Sequence, residues 1–202
     1  MVKQVVFTVL SVMALSSCST EQNAMQPIRI SDVISSGCTS SFSAKESRPE
    51  YYESEMEKSP KMVISVDANG TGHFTVADLR GNCALNGFRP QVSSQDNSIC
   101  IVLVPWGDPT VEADCICHYN VSFKLSNLTT DGYHLAVYLS DFASKYDSTQ
   151  PLYEGKASFL PNKSIEIELK RLKAENTGNV FPYYLAIFNV NAVRHNDTSA
   201  FF

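Results

Sequence analysis

Three sulfurs and an imidazole lie close enough along the chain to suggest chemistry: Cys83, then Cys115-Ile116-Cys117-His118. Thiolates and imidazoles are the usual ligands of zinc, and a structural zinc site takes four of them. The same thiols would also serve as a redox pair or as halves of disulfides. Strand parity decides among these readings. Successive side chains of a strand face opposite ways, so Cys115 and Cys117 share a face with Tyr119, Val121 and Phe123 while His118 turns to the other. The imidazole then does not converge with the thiols on one ion, and the expected metal ligands and cofactors are none. A thioredoxin-type pair fails too, because it wants two intervening residues at a helix start and here one residue intervenes in a strand.

The expectation is therefore structural, with Cys83, Cys115 and Cys117 as disulfide candidates. Neighbours on one strand face sit about 6.5 to 7 Å apart, near the upper limit for bridging, so Cys115 and Cys117 are not expected to pair with each other. Cys83 is expected to pair with one of them, closing a loop of about thirty residues that contributes roughly 2 to 4 kcal/mol. Beyond Cys18 the cysteines are at 38, 83, 100, 115 and 117, an odd number that leaves at least one thiol unpaired. The competing reading is a metal-binding or thiol-dependent enzyme that uses Cys83, Cys115 and Cys117.

The elements that must position these residues read as strands. Residues 117–126 alternate apolar and polar, residues 164–170 do the same, and residues 99–104 are apolar on both faces, as a central strand requires. Further strands are expected at 62–66, 73–79, 88–93, 133–139 and 183–190, with Asn69-Gly70, Gly81-Asn82, Asp131-Gly132 and Pro161-Asn162 among the turns between them. Residues 140–146 have room for one or two helical turns. About eight short strands at this spacing predict an all-β fold, an antiparallel β-sandwich over residues 61–202. Residues 125–137, in which a leucine-ended strand is followed by a polar turn with Gly132 and a returning Tyr133, resemble a turn of immunoglobulin-like and transthyretin-like sandwiches. The resemblance implies that the Tyr133 hydroxyl bonds backbone at the sandwich corner.

Ahead of the sandwich stands an address. Lys3 is followed by an apolar run over 5–15, then Ser16, Ser17 and Cys18, which is the layout of a signal peptide and is too short for a permanent span. Leu15-Ser16-Ser17-Cys18 resembles the bacterial lipobox, which implies removal of residues 1–17 and lipidation of Cys18. Three acyl chains at about 0.8 kcal/mol per buried methylene make an effectively permanent anchor. By resemblance to Gram-negative lipoproteins, Ser19 implies retention at the outer membrane, on its periplasmic or its cell-surface face. Residues 18–60 are rich in Ser, Glu and Lys and show little periodicity, so they are expected to be a flexible tether behind the lipidated Cys18, in which Tyr51 and Tyr52 are the residues fit to dock as an added strand.

Asn82-Cys83, then Asp114-Cys115-Ile116-Cys117-His118-Tyr119, then Asn127-Leu128 and Tyr133 together resemble a group of gut-anaerobe lipoproteins with an Asn-Cys-Cys, Cys-rich strand and tyrosine-turn pattern. The likeness covers about 55 residues. Ala84 and Ala113 stand where that pattern has further cysteines, and Asn120 where it has Asp. It implies the fold and the location, with no activity attached.

A formal charge of −5 on 202 residues has the wrong sign for a nucleic-acid partner. No nucleophile elbow, phosphate loop, dinucleotide fingerprint or calcium loop is present, and His73, His118, His134 and His195 lack metal-ligand spacing. They are expected to be surface strand or tail residues. Trp106 in Pro105-Trp106-Gly107-Asp108-Pro109 offers a stacking platform at a strand end, Asp108 a hydroxyl acceptor beside it, and Tyr138 a second outward aromatic. Those three are the ligand-binding candidates. The expected function is a non-catalytic, lipid-anchored envelope protein acting as a binding or structural accessory module for a polysaccharide or an envelope protein.

Overall fold

From residue 61 onward, period-two alternation settles where the chain folds. The computed structural model describes residues 27–42, 49–129 and 132–170. Among these described residues, ten strands and one helix follow in chain order: β1 (Arg29–Ser35), β2 (Ser40–Phe42), α1 (Pro49–Glu57), β3 (Lys61–Val66), β4 (Gly72–Asn82), β5 (Leu85–Gln95), β6 (Ser98–Gly107), β7 (Ile116–Ser126), β8 (Tyr133–Leu139), β9 (Tyr153–Ala157) and β10 (Ser164–Glu168). They form two packed sheets. One runs β1-β7-β4-β3-β10 with β2 also on β7, and the other runs β5-β6-β8-β9. The domain is an all-β sandwich.

The core lies between the inward faces. Phe74, Val76 and Leu79 of β4 and Tyr119, Val121, Phe123 and Leu125 of β7 meet Phe88 of β5, Ile99, Ile101 and Leu103 of β6, and Leu135 and Val137 of β8. Phe74 stacks on Phe123 with ring centroids 5.1 Å apart. Phe88 meets Tyr119 edge-on at 5.6 Å, so aromatic geometry knits the two sheets together. At the corner, the Tyr133 hydroxyl accepts a hydrogen bond from the Thr129 N–H at 2.9 Å, as the turn after β7 implies.

Not every pairing is antiparallel. β6 and β8 run parallel, with Cys100 opposite Ala136 and Val102 opposite Tyr138. The reason is topological: the chain leaves β6, crosses to the other sheet for β7 and returns for β8, and two reversals restore the starting direction.

The expected tether also needs correction, because the fold begins well before residue 61. β1 pairs with the second half of β7 and β2 with its first half, so residues 29–42 make one antiparallel edge interrupted at 36–39. Ser36 and Thr39 N–H groups donate to the Asn120 and His118 carbonyls at 2.8 and 2.9 Å across the interruption. β1 is almost wholly exposed and gains its place through backbone hydrogen bonds. Composition therefore reads it as unfit to fold, whereas a sheet edge needs a partner whatever its side chains. Gly87 makes room for this segment: its φ of +139° is open to glycine, and a Cβ there would collide with Ser35 Oγ. Tyr51 and Tyr52 lie in α1 rather than in an added strand. Residues 140–146 form turns instead of a helix, with Asp141 Oδ1 accepting from the Ala143 and Lys145 N–H groups. Cys18, His195 and the strand expected at 183–190 lie outside the described residues.

Candidate functional site

At one end of the sandwich the cysteines gather. Asn82, the last residue of β4, receives the Ala84 and Ala113 N–H groups on Oδ1, each at 2.9 Å, and donates through Nδ2 to the Ala113 carbonyl at 2.7 Å. That one amide fastens the 108–115 loop to the β4–β5 turn, and the Cys83 N–H completes the clasp on the Cys115 carbonyl at 3.1 Å. Cys83 and Cys115 are joined in a disulfide. Cys117 points into the core, fully buried, and is joined to Cys38 in the break between β1 and β2. The two bonds touch: Cys117 Sγ lies 3.1 Å from Cys83 Sγ. The sulfurs of Cys38, Cys83 and Cys117 all fall within 4.8 Å of one another.

The parity reading of Cys117 and His118 holds, and Cys115 and Cys117 do not bond each other. Cys115 itself precedes the strand, which starts at Ile116. Cys38 was missed. It sits in a stretch read as tether, and the only available signal was the odd count of cysteines, which cannot say which thiol is left over. That thiol is Cys100.

His118 is not the surface residue expected. On the outward face of β7 it is covered by α1 and β2, and is 3% exposed. Its Nε2 lies 3.5 Å from Glu55 Oε2 and its Nδ1 3.6 Å from Asp78 Oδ1, with the Phe42 ring edge-on at 5.4 Å. A bulge in β4 between Val76 and Leu79, with Asp78 at φ 59°, turns that carboxylate toward the imidazole. Arg80 Nη1 donates to the Met56 carbonyl at 2.7 Å, placing a cation at the C-terminal end of α1, and Glu55 is ion-paired with Lys58. Burial holds the His118 imidazole below its ordinary pKa, against the opposing pull of Glu55 and Asp78. The two carboxylates approach opposite ring nitrogens, so the group orients α1 on the sheet and does not converge on a common point.

The ligand-binding candidates occupy the outward face of the four-stranded sheet. Trp106 is at the end of β6, where it is expected, and the Arg89 guanidinium lies 4.0 Å from its ring centroid. Tyr138 of β8 is tilted against Tyr146 at 4.6 Å. The Cys100 sulfur beside Tyr146 pushes that phenol's pKa up. Val102 lies opposite Tyr138, and Trp106 is two same-face steps further along β6, about 13 Å away. Asp108 does not join them. Its Oδ1 accepts from the Thr110 hydroxyl at 2.6 Å and the Thr110 N–H at 2.9 Å, which hold its carboxyl below the usual range and tie it into its own turn. Sequence reasoning missed Arg89 and Tyr146, although Arg89 on the face opposite Phe88 follows from the alternation of β5.

Compared with family models, curated proteins and solved structures, the chain matches none.

Proposed function

We propose that this chain is a non-catalytic module of the cell envelope, anchored to the outer membrane through a lipidated Cys18 and presenting the outer face of β5-β6-β8 to a partner protein of the envelope. The observation that carries the reading is the pair of disulfides at the β4–β7 end. Such bonds persist outside the reducing cytosol, and four of the five cysteines after Cys18 are consumed in them, as scaffolding requires. The partner class follows from the outward face. It carries Trp106 with Arg89 and Tyr138 with Tyr146, residue types that anchor protein interfaces, and the hydroxyl acceptor expected beside Trp106, Asp108, is engaged in its own turn.

Mass spectrometry of the protein recovered from the envelope tests the anchor: a diacylglyceryl group on an N-terminal Cys18 is expected, and an unmodified Cys18 sinks it. Protease treatment of intact cells then separates the cell-surface face from the periplasmic one. Titration of Trp106 fluorescence with envelope glycans tests the partner class, with no change expected. A saturable quench, confirmed by calorimetry as binding that weakens in Trp106→Ala, moves the partner to polysaccharide. The competing metal reading rests on the closeness of Cys38, Cys83 and Cys117. It requires a stoichiometric ion whose chelation unfolds the domain.

A further inference from the structure

The two disulfides are not independent staples. Two sulfurs belonging to different bonds, those of Cys117 and Cys83, lie 3.1 Å apart, closer than non-bonded sulfurs normally approach. Their partners differ in surroundings: Cys38 is exposed, Cys117 is fully buried, and Cys115 is half-buried. Thiol–disulfide exchange needs a thiolate in contact with a disulfide sulfur, and it runs toward the thiolate that is better solvated.

We propose that Cys38 is a site of S-thiolation by an external thiol, and that the four sulfurs form an exchange relay that retains the adduct. An incoming thiolate attacks the exposed Cys38 sulfur, a mixed disulfide forms there, the Cys38–Cys117 bond breaks, and the electron pair leaves on Cys117. The Cys117 thiolate is then in the apolar core among Tyr119 and its neighbours, where a charge is costly. It attacks Cys83 Sγ, a Cys83–Cys117 bond forms, the Cys83–Cys115 bond breaks, and the pair leaves on Cys115, which takes up the proton released by the incoming thiol. One thiol is consumed and one appears, so no net oxidant or reductant is required. The charge has moved from a buried position to one in reach of water, and Cys117 is no longer free to expel the adduct. The N-terminal edge, β1 and β2, then loses its covalent tie to β7 and is held by its backbone hydrogen bonds, the Asp32–Lys124 ion pair and the buried Phe42 ring.

The test uses oxidised full-length protein with Cys18→Ser and Cys100→Ser, to remove the cysteines outside the two disulfides, and reduced glutathione as the probe. After acid quenching, alkylation in denaturant and digestion without reductant, peptide masses report every pairing. Glutathione on Cys38, a Cys83–Cys117 bond and an alkylated Cys115 in the same molecules are expected. Glutathione on Cys38 with an alkylated Cys117 and an intact Cys83–Cys115 bond overturns the relay, and the absence of an adduct at Cys38 overturns the site. In Cys83→Ala/Cys115→Ala the freed Cys117 has only Cys38 to attack, so the adduct is expected to fall several-fold; an unchanged yield also overturns the relay. The wild-type pairing map stands whether or not that double variant folds. None of these readouts depends on Cys18 or on a partner.

Discussion

The disulfide-closed end of β4 and β7 and the aromatic outer face of β5-β6-β8 lie on opposite sheets. The β4–β7 end is closed by two disulfides, the Asn82 clasp and the Tyr119 hydroxyl, which donates to the Asn82 and Leu85 carbonyls at 2.8 and 3.2 Å. The outward face of β5-β6-β8 has no disulfide, and on it the half-buried Trp106 and Tyr138 rings lie against the exposed Arg89 and Tyr146 side chains. One region spends its reactive groups on holding the chain, while the other leaves apolar and cationic groups facing water. Covalent restraint is therefore concentrated at one end of the sandwich, and the accessible aromatic and cationic groups lie on the opposite sheet.

If this division is right, the largest losses of stability come from the closed end. Cys38→Ala/Cys117→Ala opens a loop with a sequence separation of 79, and Cys83→Ala/Cys115→Ala one of 32. Loop-closure entropy puts these at roughly 4 to 5 and roughly 3 to 4 kcal/mol, less where the nested bond already restricts the chain. Urea midpoints measure both. A loss under about 1 kcal/mol from either pair would mean that the cluster holds nothing. Next comes Tyr119→Phe, which leaves two carbonyls of the clasp short of a donor and is expected to cost about 1 to 2 kcal/mol. Burial also pushes the Tyr119 pKa up to about 12, so its absorbance should resist alkaline titration until the domain opens.

A smaller effect is expected from His118. Its folded pKa lies below the unfolded value of 6.5, so between the two the unfolded chain binds more protons and stability rises with pH. The contribution is complete above about pH 6.5 and is lost as pH falls from there through the folded value. The urea midpoint should drop between pH 7.5 and 5.5, and His118→Gln should flatten that step. A midpoint that rises on acidification would mean that Glu55 and Asp78 outweigh burial and the opposing cations Lys58 and Arg80 and favour the charged imidazole.

How much of this was legible in the sequence depends on whether a side chain or a backbone did the positioning. Strands β3 to β5, β7, β8 and β10 were legible because burial writes period two into side chains, as in residues 117–126, and β6 because a central strand is apolar on both faces. β1 could not be read that way, since six of its seven residues are exposed and its hydrogen bonds run to β7 through main-chain groups. The burial of His118 escaped for a related reason. Parity correctly turned it away from the core, but the cover comes from α1, which meets the sheet through Glu55 beside the imidazole and through the Met56 carbonyl on Arg80. Cys83–Cys115 was within reach of spacing arguments, whereas the partner of Cys117 was set by where β1 ends against β7, which is a tertiary fact.

The smallest change belongs to the open face, and it separates the two regions most cleanly. Arg89→Ala removes the guanidinium from the Trp106 ring at a partly exposed site, where such contacts contribute about 0.5 to 1 kcal/mol. The urea midpoint should barely move, yet Trp106 emission should shift, because one face of the indole exchanges a cation for water. If Arg89→Ala instead destabilises the domain as much as Tyr119→Phe does, the outward face is a load-carrying part of the fold, and a surface on which the sandwich itself depends is poorly suited to exchange its contacts with a partner.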